Sequence, residues 1–168
     1  MLDSITAPLR EEHRELLPRI EDLRRVADAV GILPIPALRE RVSEIRRFLS
    51  SHLIPHAVAE DSAMYPVVAR VMGAPEATAT MRHDHVEVAE LVAQLEGVEP
   101  ELTGSRLPME TERALRRILY GLYTLVRVHF VEEEEIYLPL LDANLSPEEA
   151  HGMFEQMEAT AARARAGV

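Results

Sequence analysis

The feature that most restricts this chain is a phrase that occurs twice. Each copy has a histidine, a carboxylate four residues on and a proline ten residues on. The first copy is His56-Ala-Val-Ala-Glu60-Asp61-Ser-Ala-Met64-Tyr65-Pro66, and the second is His129-Phe-Val-Glu-Glu133-Glu134-Glu-Ile-Tyr137-Leu138-Pro139. An acid-histidine pair precedes each copy at nearly the same interval, Glu12-His13 before the first and Asp84-His85 before the second. The chain therefore reads as two copies of one unit, an acid-His helix followed by a His-x-x-x-Glu helix. With 29 acidic residues among 168, one His–Glu pair at this spacing would carry no weight. Two matching phrases with matching partners do.

An i, i+4 spacing sets imidazole and carboxylate one turn apart on the same helical face. The surrounding sequence is helical too. Leu9, Leu16, Ile20, Leu23, Val26 and Val30 recur at helical spacing behind Thr6 as N-cap and Pro8 in the first turn. Residues 31–36 (GILPIP) break the pattern. A second helix is expected from about Ala37 to Val71, and a third from Gly73-Ala74-Pro75 through Leu91 and Leu95 to Gly97. After a polar loop from Val98 to Pro108, a fourth runs from about Glu110 to Leu141, and Ser146-Pro147-Glu148 caps a fifth. Pro18, Pro55 and Pro66 fall inside or near the ends of these helices, and each is expected to kink or end one. Strands are a poor alternative, since no stretch alternates with period two for long. The expected fold is all-α: an up-down four-helix bundle over residues 1–145, with an additional C-terminal helix over residues 146–168 packing on it or extending from it.

Such a bundle points His13, His56, Glu60, His85, His129 and Glu133 at a common interior. Ionised Glu60 and Glu133 are costly there unless paired or ligated. Two metal ions would offset their charge. With both carboxylates bridging, each metal has two histidines and two carboxylate oxygens, and positions stay open for water, an oxo group, O2 or peroxide. Cysteine is absent, which excludes thiolate zinc sites, iron–sulfur clusters and thiol catalysis. Imidazole with carboxylate suits iron, zinc or manganese. Two bridged metals with vacant positions favour iron over a structural zinc, which prefers a closed tetrahedron.

Neighbouring residues have two readings each. His52, one turn before His56, is a candidate fifth histidine or a residue that lines the pocket. His83 is two residues from His85 and is expected to face solvent, and His151 belongs to the tail helix. Glu12, Asp61, Asp84 and Glu134 adjoin the candidate ligands and are read as solvated. The alternative is that they accept a proton from the far nitrogen of a ligating histidine. Tyr65, Tyr120, Tyr123 and Tyr137 are read mainly as core, with hydrogen bonding to a bound oxygen species as the alternative.

Charge and hydropathy narrow the partners. A net charge of -11 repels phosphate backbones, so no nucleic acid is expected. No run approaches the roughly 18 apolar residues of a membrane span, so no membrane is expected either. The start MLDSITAPLREEH has no apolar leader core, and a cytoplasmic location is the default.

The phrases EEHRELLPRIEDL, HLIPHAVAEDSAMYP and HDHVEVAELVAQL resemble the hemerythrin-like family, the HHE cation-binding domain, over the first 141 residues or so. The resemblance implies a four-helix bundle holding a non-haem di-iron centre, with His13, His56, Glu60, His85, His129 and Glu133 as ligands. Members of that family bind O2 reversibly, sense oxygen or iron, decompose peroxide or handle NO. Oxygen-carrying hemerythrins have five histidine ligands, with a pair four apart on the third helix and a His-x-x-x-x-Asp element on the fourth. Here the third helix has His83 and His85, and the fourth has His129-x-x-x-Glu133. The centre implied is therefore more symmetric. The expected function is binding of O2 or a related small oxidant at two iron ions, for sensing, storage or detoxification. The alternative is a catalase- or peroxidase-like enzyme at the same metals.

Overall fold

Apolar residues three and four apart give each long segment one face that must leave water, and the chain meets that demand with helices alone. The computed structural model describes residues 4–167. Residues 1–3 of the N-terminal segment and Val168 of the expected tail helix lie outside the described residues. Helix α1 is Ala7–Ala29. Helices α2 (Ile35–Phe48), α3 (Ile54–Ala59) and α4 (Tyr65–Met72) form one unbroken rod, joined by π-helical turns at Leu49–Leu53 and Glu60–Met64. Helix α5 is Ala79–Val98. Helices α6 (Met109–Glu132) and α7 (Leu138–Asn144) make a second rod through a π-helical turn at Glu133–Tyr137. Helix α8 is Pro147–Ala166, and no strand occurs among the described residues. The fold is all-α, as expected.

None of the three prolines ends its helical run. Pro18 lies inside α1, which runs on through it, and Pro55 and Pro66 do not end their rod. A proline lacks an N–H and its ring crowds the carbonyl four residues back. Here the residue just before each rod proline, Ile54, Tyr65 or Leu138, sends its N–H five residues back to Leu49, Glu60 or Glu133. That wider turn absorbs the crowding. The third helix also starts later than expected, at Ala79. Gly73 closes α4 in the left-handed region (φ 62°), and short three-residue bonds from Ala77 to Ala74 and from Ala79 to Glu76 occupy the interval.

Thr6 holds the N-cap position of α1 without capping it, because its hydroxyl and N–H are both bound to Asp142. Ser146 does cap α8, in a reciprocal pair with Glu149.

Two apolar clusters fill the bundle. The larger holds Leu16, Leu53, Val88 and Phe130, and the smaller holds Leu9, Ala59, Met81 and Tyr137. Between each such pair along its helix stands His13, His56, His85 or Glu133. The four rods thus cross one thin polar layer, in alternating directions, with apolar packing above and below. Helix α8 lies against α3 and the Glu60–Met64 turn, burying Ala150, Met153, Met157 and Thr160.

Ile20 is 0% exposed and Leu17, on the same helix, is 38% exposed. Ile20→Ala should therefore cost about 2–5 kcal/mol in guanidinium unfolding, against less than about 0.5 kcal/mol for Leu17→Ala.

Candidate metal centre

The polar layer brings together all six residues singled out from the repeat. His13, His56, Glu60 and Glu133 each offer one ligand atom, all within 4.8 Å of one another, and Glu60, His85 and His129 do the same. Glu60 belongs to both groups. His56 Nε2 is 3.0 Å from Glu60 Oε1, His85 Nε2 is 3.4 Å from Glu60 Oε2, and His13 Nε2 is 3.4 Å from Glu133 Oε2. Both glutamates are 0% exposed.

The four acids read as solvated are not free in solvent. Each reaches the outer nitrogen of one of the four histidines. Glu134 Oε1 is 3.0 Å from His13 Nδ1, Asp61 Oδ1 is 3.0 Å from His85 Nδ1, and Asp84 Oδ2 is 3.3 Å from His129 Nδ1. Glu12 Oε1 is 3.1 Å from His56 Nδ1, a close ion-pair contact that is not aligned as a hydrogen bond. Arg10 in turn grips Glu134 at 2.5 Å and Asp142 at 3.4 Å. A carboxylate on Nδ1 fixes the imidazole tautomer with its proton outward, so the bare Nε2 faces the interior. The sequence carried a sign of this, since the acids at 12 and 84 and at 61 and 134 recur in register with the histidines.

Tyr65 is the residue whose place was least legible. Its ring is fully buried, and its hydroxyl donates to Glu133 Oε1 at 2.7 Å. The Tyr65 hydroxyl oxygen also lies 3.1 Å from His129 Nε2 and 3.4 Å from His85 Nε2. On a straight α-helix Tyr65 would sit well round from Glu60. The π turn between them swings it inward. The other repeat has Leu138 in the equivalent place, so the two halves of the site are not equivalent. Tyr137 instead donates to the carbonyl of Ala77.

The electrostatics call for a cation. Buried His13 Nε2, both nitrogens of His56, both oxygens of Glu60 and Glu133 Oε2 have no hydrogen-bond partner. Unmatched buried polar atoms are rare, and apart from His56 Nδ1, which lies beside Glu12, these belong to the cluster of candidate ligand atoms. His85 Nε2 and His129 Nε2 face each other at 2.9 Å, where two lone pairs repel unless a proton or cation stands between them. Without a metal, protons must do this work. Burial would raise Glu60, but His56, His13 and His85 hold it well below the usual carboxylate range. Burial and the charge of Glu60 push Glu133 well above that range, so the two glutamates are driven in opposite directions. Burial opposes charge on His85, yet the Asp61 and Glu60 carboxylates outweigh it and raise its pKa to about 9. Burial and the neighbouring His85 charge lower that of His129. The donor set, imidazole nitrogens and carboxylate oxygens with orphaned lone pairs, fits divalent or trivalent metal ions.

The remaining histidines stand apart. His52 is exposed and stacks on Phe48, His83 pairs with Glu87 and His151 pairs with Glu155 on the surface. The hemerythrin HHE cation binding domain matches residues 4–141. The chain belongs to that family. No curated protein and no solved structure matches it. The hemerythrin-like match spans both repeats and every residue of the polar layer, and α8 lies beyond it.

The raised pKa of His85 predicts how the metal-free protein responds to pH. Its folded value of about 9 exceeds the unfolded value near 6.5, so its stabilisation is complete below about pH 6.5 and is lost as pH rises through 9. Urea unfolding of chelator-treated protein should show midpoints falling between pH 7 and 9.5, and His85→Gln should flatten that decline.

Proposed function

We propose that His13, His56, Glu60, His85, His129 and Glu133 would hold two iron ions, and that this centre binds O2 or a related small oxidant for sensing, storage or detoxification. The observation that carries this is the set of buried, unpartnered nitrogens and oxygens converging inside an HHE domain. Neutral imidazole and carboxylate with no thiolate suit iron, and the small number of protein donors per metal leaves room for a diatomic ligand. Residues 1–145 form the metal-binding unit in this reading, and residues 146–168 add a helix to it. We place it in the cytoplasm, since a cysteine-free chain gains nothing from an oxidising compartment.

Bound iron would supply a redox couple and an open coordination position for the oxidant. The chain's own residues do the rest. Glu12, Asp61, Asp84 and Glu134 hold the four imidazoles in one tautomer and orientation. The two apolar clusters exclude bulk water, which strengthens every charge interaction inside the layer. Glu60 lies within reach of His13, His56 and His85, whereas Glu133 accepts from the Tyr65 hydroxyl at one oxygen.

That hydroxyl favours a second reading, a catalase- or peroxidase-like enzyme. Burial and the Glu60 and Glu133 charges raise the Tyr65 pKa, so its proton stays on oxygen beside the three-ligand group. A retained O–H is a hydrogen-bond donor for a partly reduced oxygen species.

Glu60→Ala removes a donor common to both groups, and Glu133→Ala removes a donor from one. Metal analysis should find about two ions per chain in the parent, fewer in Glu133→Ala and fewest in Glu60→Ala. Unchanged content in a Glu60→Ala, Glu133→Ala double variant would refute ligation. On the iron-loaded parent, an optical change with air that reverses under argon supports the binding reading. Sustained O2 release from added peroxide, lost in Tyr65→Phe, supports the enzymatic one.

A further inference from the structure

Methionine is unevenly placed in this core. Every buried methionine among the described residues (Met64, Met81, Met153 and Met157) lies in the smaller apolar cluster beside the metal centre, and the larger cluster holds none. Met153 and Met157 come from α8, outside the matched domain. Met157 also lines a cavity of about 230 Å³ whose walls include Leu9, Glu12, His56, Ala59 and Phe154. One water occupies about 30 Å³ of liquid, so hydrogen peroxide, little larger than water, fits there with room to spare. The cavity reaches the outer side of His56, and its wall carries a thioether.

We propose that Met157 is an oxidative modification site, converted to the sulfoxide by hydrogen peroxide collecting at the His56 cavity, and that this change releases α8 from the bundle. This rests on the reading of the centre as one that draws small oxidants. In the step, the sulfur lone pair attacks one peroxide oxygen and the O–O bond breaks. The other oxygen leaves as hydroxide and takes the proton from the new S–OH group, giving sulfoxide and water. Sulfur loses two electrons and peroxide gains them. Met157 is the sulfur-bearing side chain in that cavity wall. The product is polar and chiral where the parent was apolar and flexible. It would stand within an apolar cluster next to Met153, in the strip that holds α8 down. A polar group set against Leu9, Ala59 and Phe154 is unfavourable, so α8 lifts and the His56 face opens. The helix then reports oxidant load through its own attachment.

Exposure alone predicts the opposite order of oxidation. Met109 is 64% exposed and Met72 is 47% exposed, against 5% for Met157. The test is a peroxide time course on the full chain, iron-loaded and metal-free, read by peptide mass spectrometry and by hydrogen exchange over residues 147–166, with metal content measured on each sample. The expected result is that Met157 sulfoxide forms before that of Met72 or Met109 in the loaded protein, several-fold faster than in the metal-free protein. Exchange across α8 should then rise. Met157→Leu, which keeps the volume, should retain its metal and show no rise in exchange. A loaded sample in which Met109 and Met72 lead, or equal Met157 rates with and without iron, overturns this inference alone. A sample that takes up no metal overturns the proposed function, and this inference with it.

Discussion

Two glutamates without a fixed positive partner, Glu60 and Glu133, set the terms for the rest of the molecule. Neither is exposed, and no arginine reaches either one. Removing a carboxylate from water costs several kcal/mol even after local relaxation, and two adjacent ones repel as well. Hydrophobic contact above and below cannot offset this, because it is indifferent to charge. The metal-free chain can only redistribute protons, with Glu60 pushed down, Glu133 pushed up and His85 raised by the Asp61 and Glu60 carboxylates. A pair of cations removes the conflict at its source.

The outer shell follows from the same constraint. Each histidine is held from outside by an acid, and three of the four acids are less than half exposed: Asp61, Asp84 and Glu134. They belong to different helices from the histidines they hold. Asp61 on the second rod meets His85 on α5, and Glu134 on the last rod meets His13 on α1. Closure of the bundle and orientation of the candidate ligands are therefore the same event. Arg10 and Asp142 extend that ring to the chain's beginning through Ser4 and Thr6. Tyr65 breaks the two-fold pattern at the inner surface, where chemistry would take place.

Much of this was legible in the residues, for reasons that can be named. His56 with Glu60 and His129 with Glu133 declare themselves through helical spacing, and repetition lifts them above chance. Their companions His13 and His85 are fixed by the same register. What spacing could not convey was contact between helices. Asp61 lies about 100° round the helix from Glu60, which suggests solvent until a neighbouring helix is packed there. Tyr65 was obscured by another effect. The backbone before Pro66 widens into a π turn, and helical phase counted at 3.6 residues per turn then fails. The same widening explains why Pro55 and Pro66 do not end their rod.

The central claim is a pair of metal ions at one buried layer, and diffraction can locate them directly. Anomalous difference maps at the iron edge, from crystals grown under iron-replete conditions, should give two peaks. One belongs among His13, His56, Glu60 and Glu133, and the other among Glu60, His85 and His129. A layer without anomalous density in such crystals, or iron found only at surface pairs such as His83 and Glu87, would contradict the account.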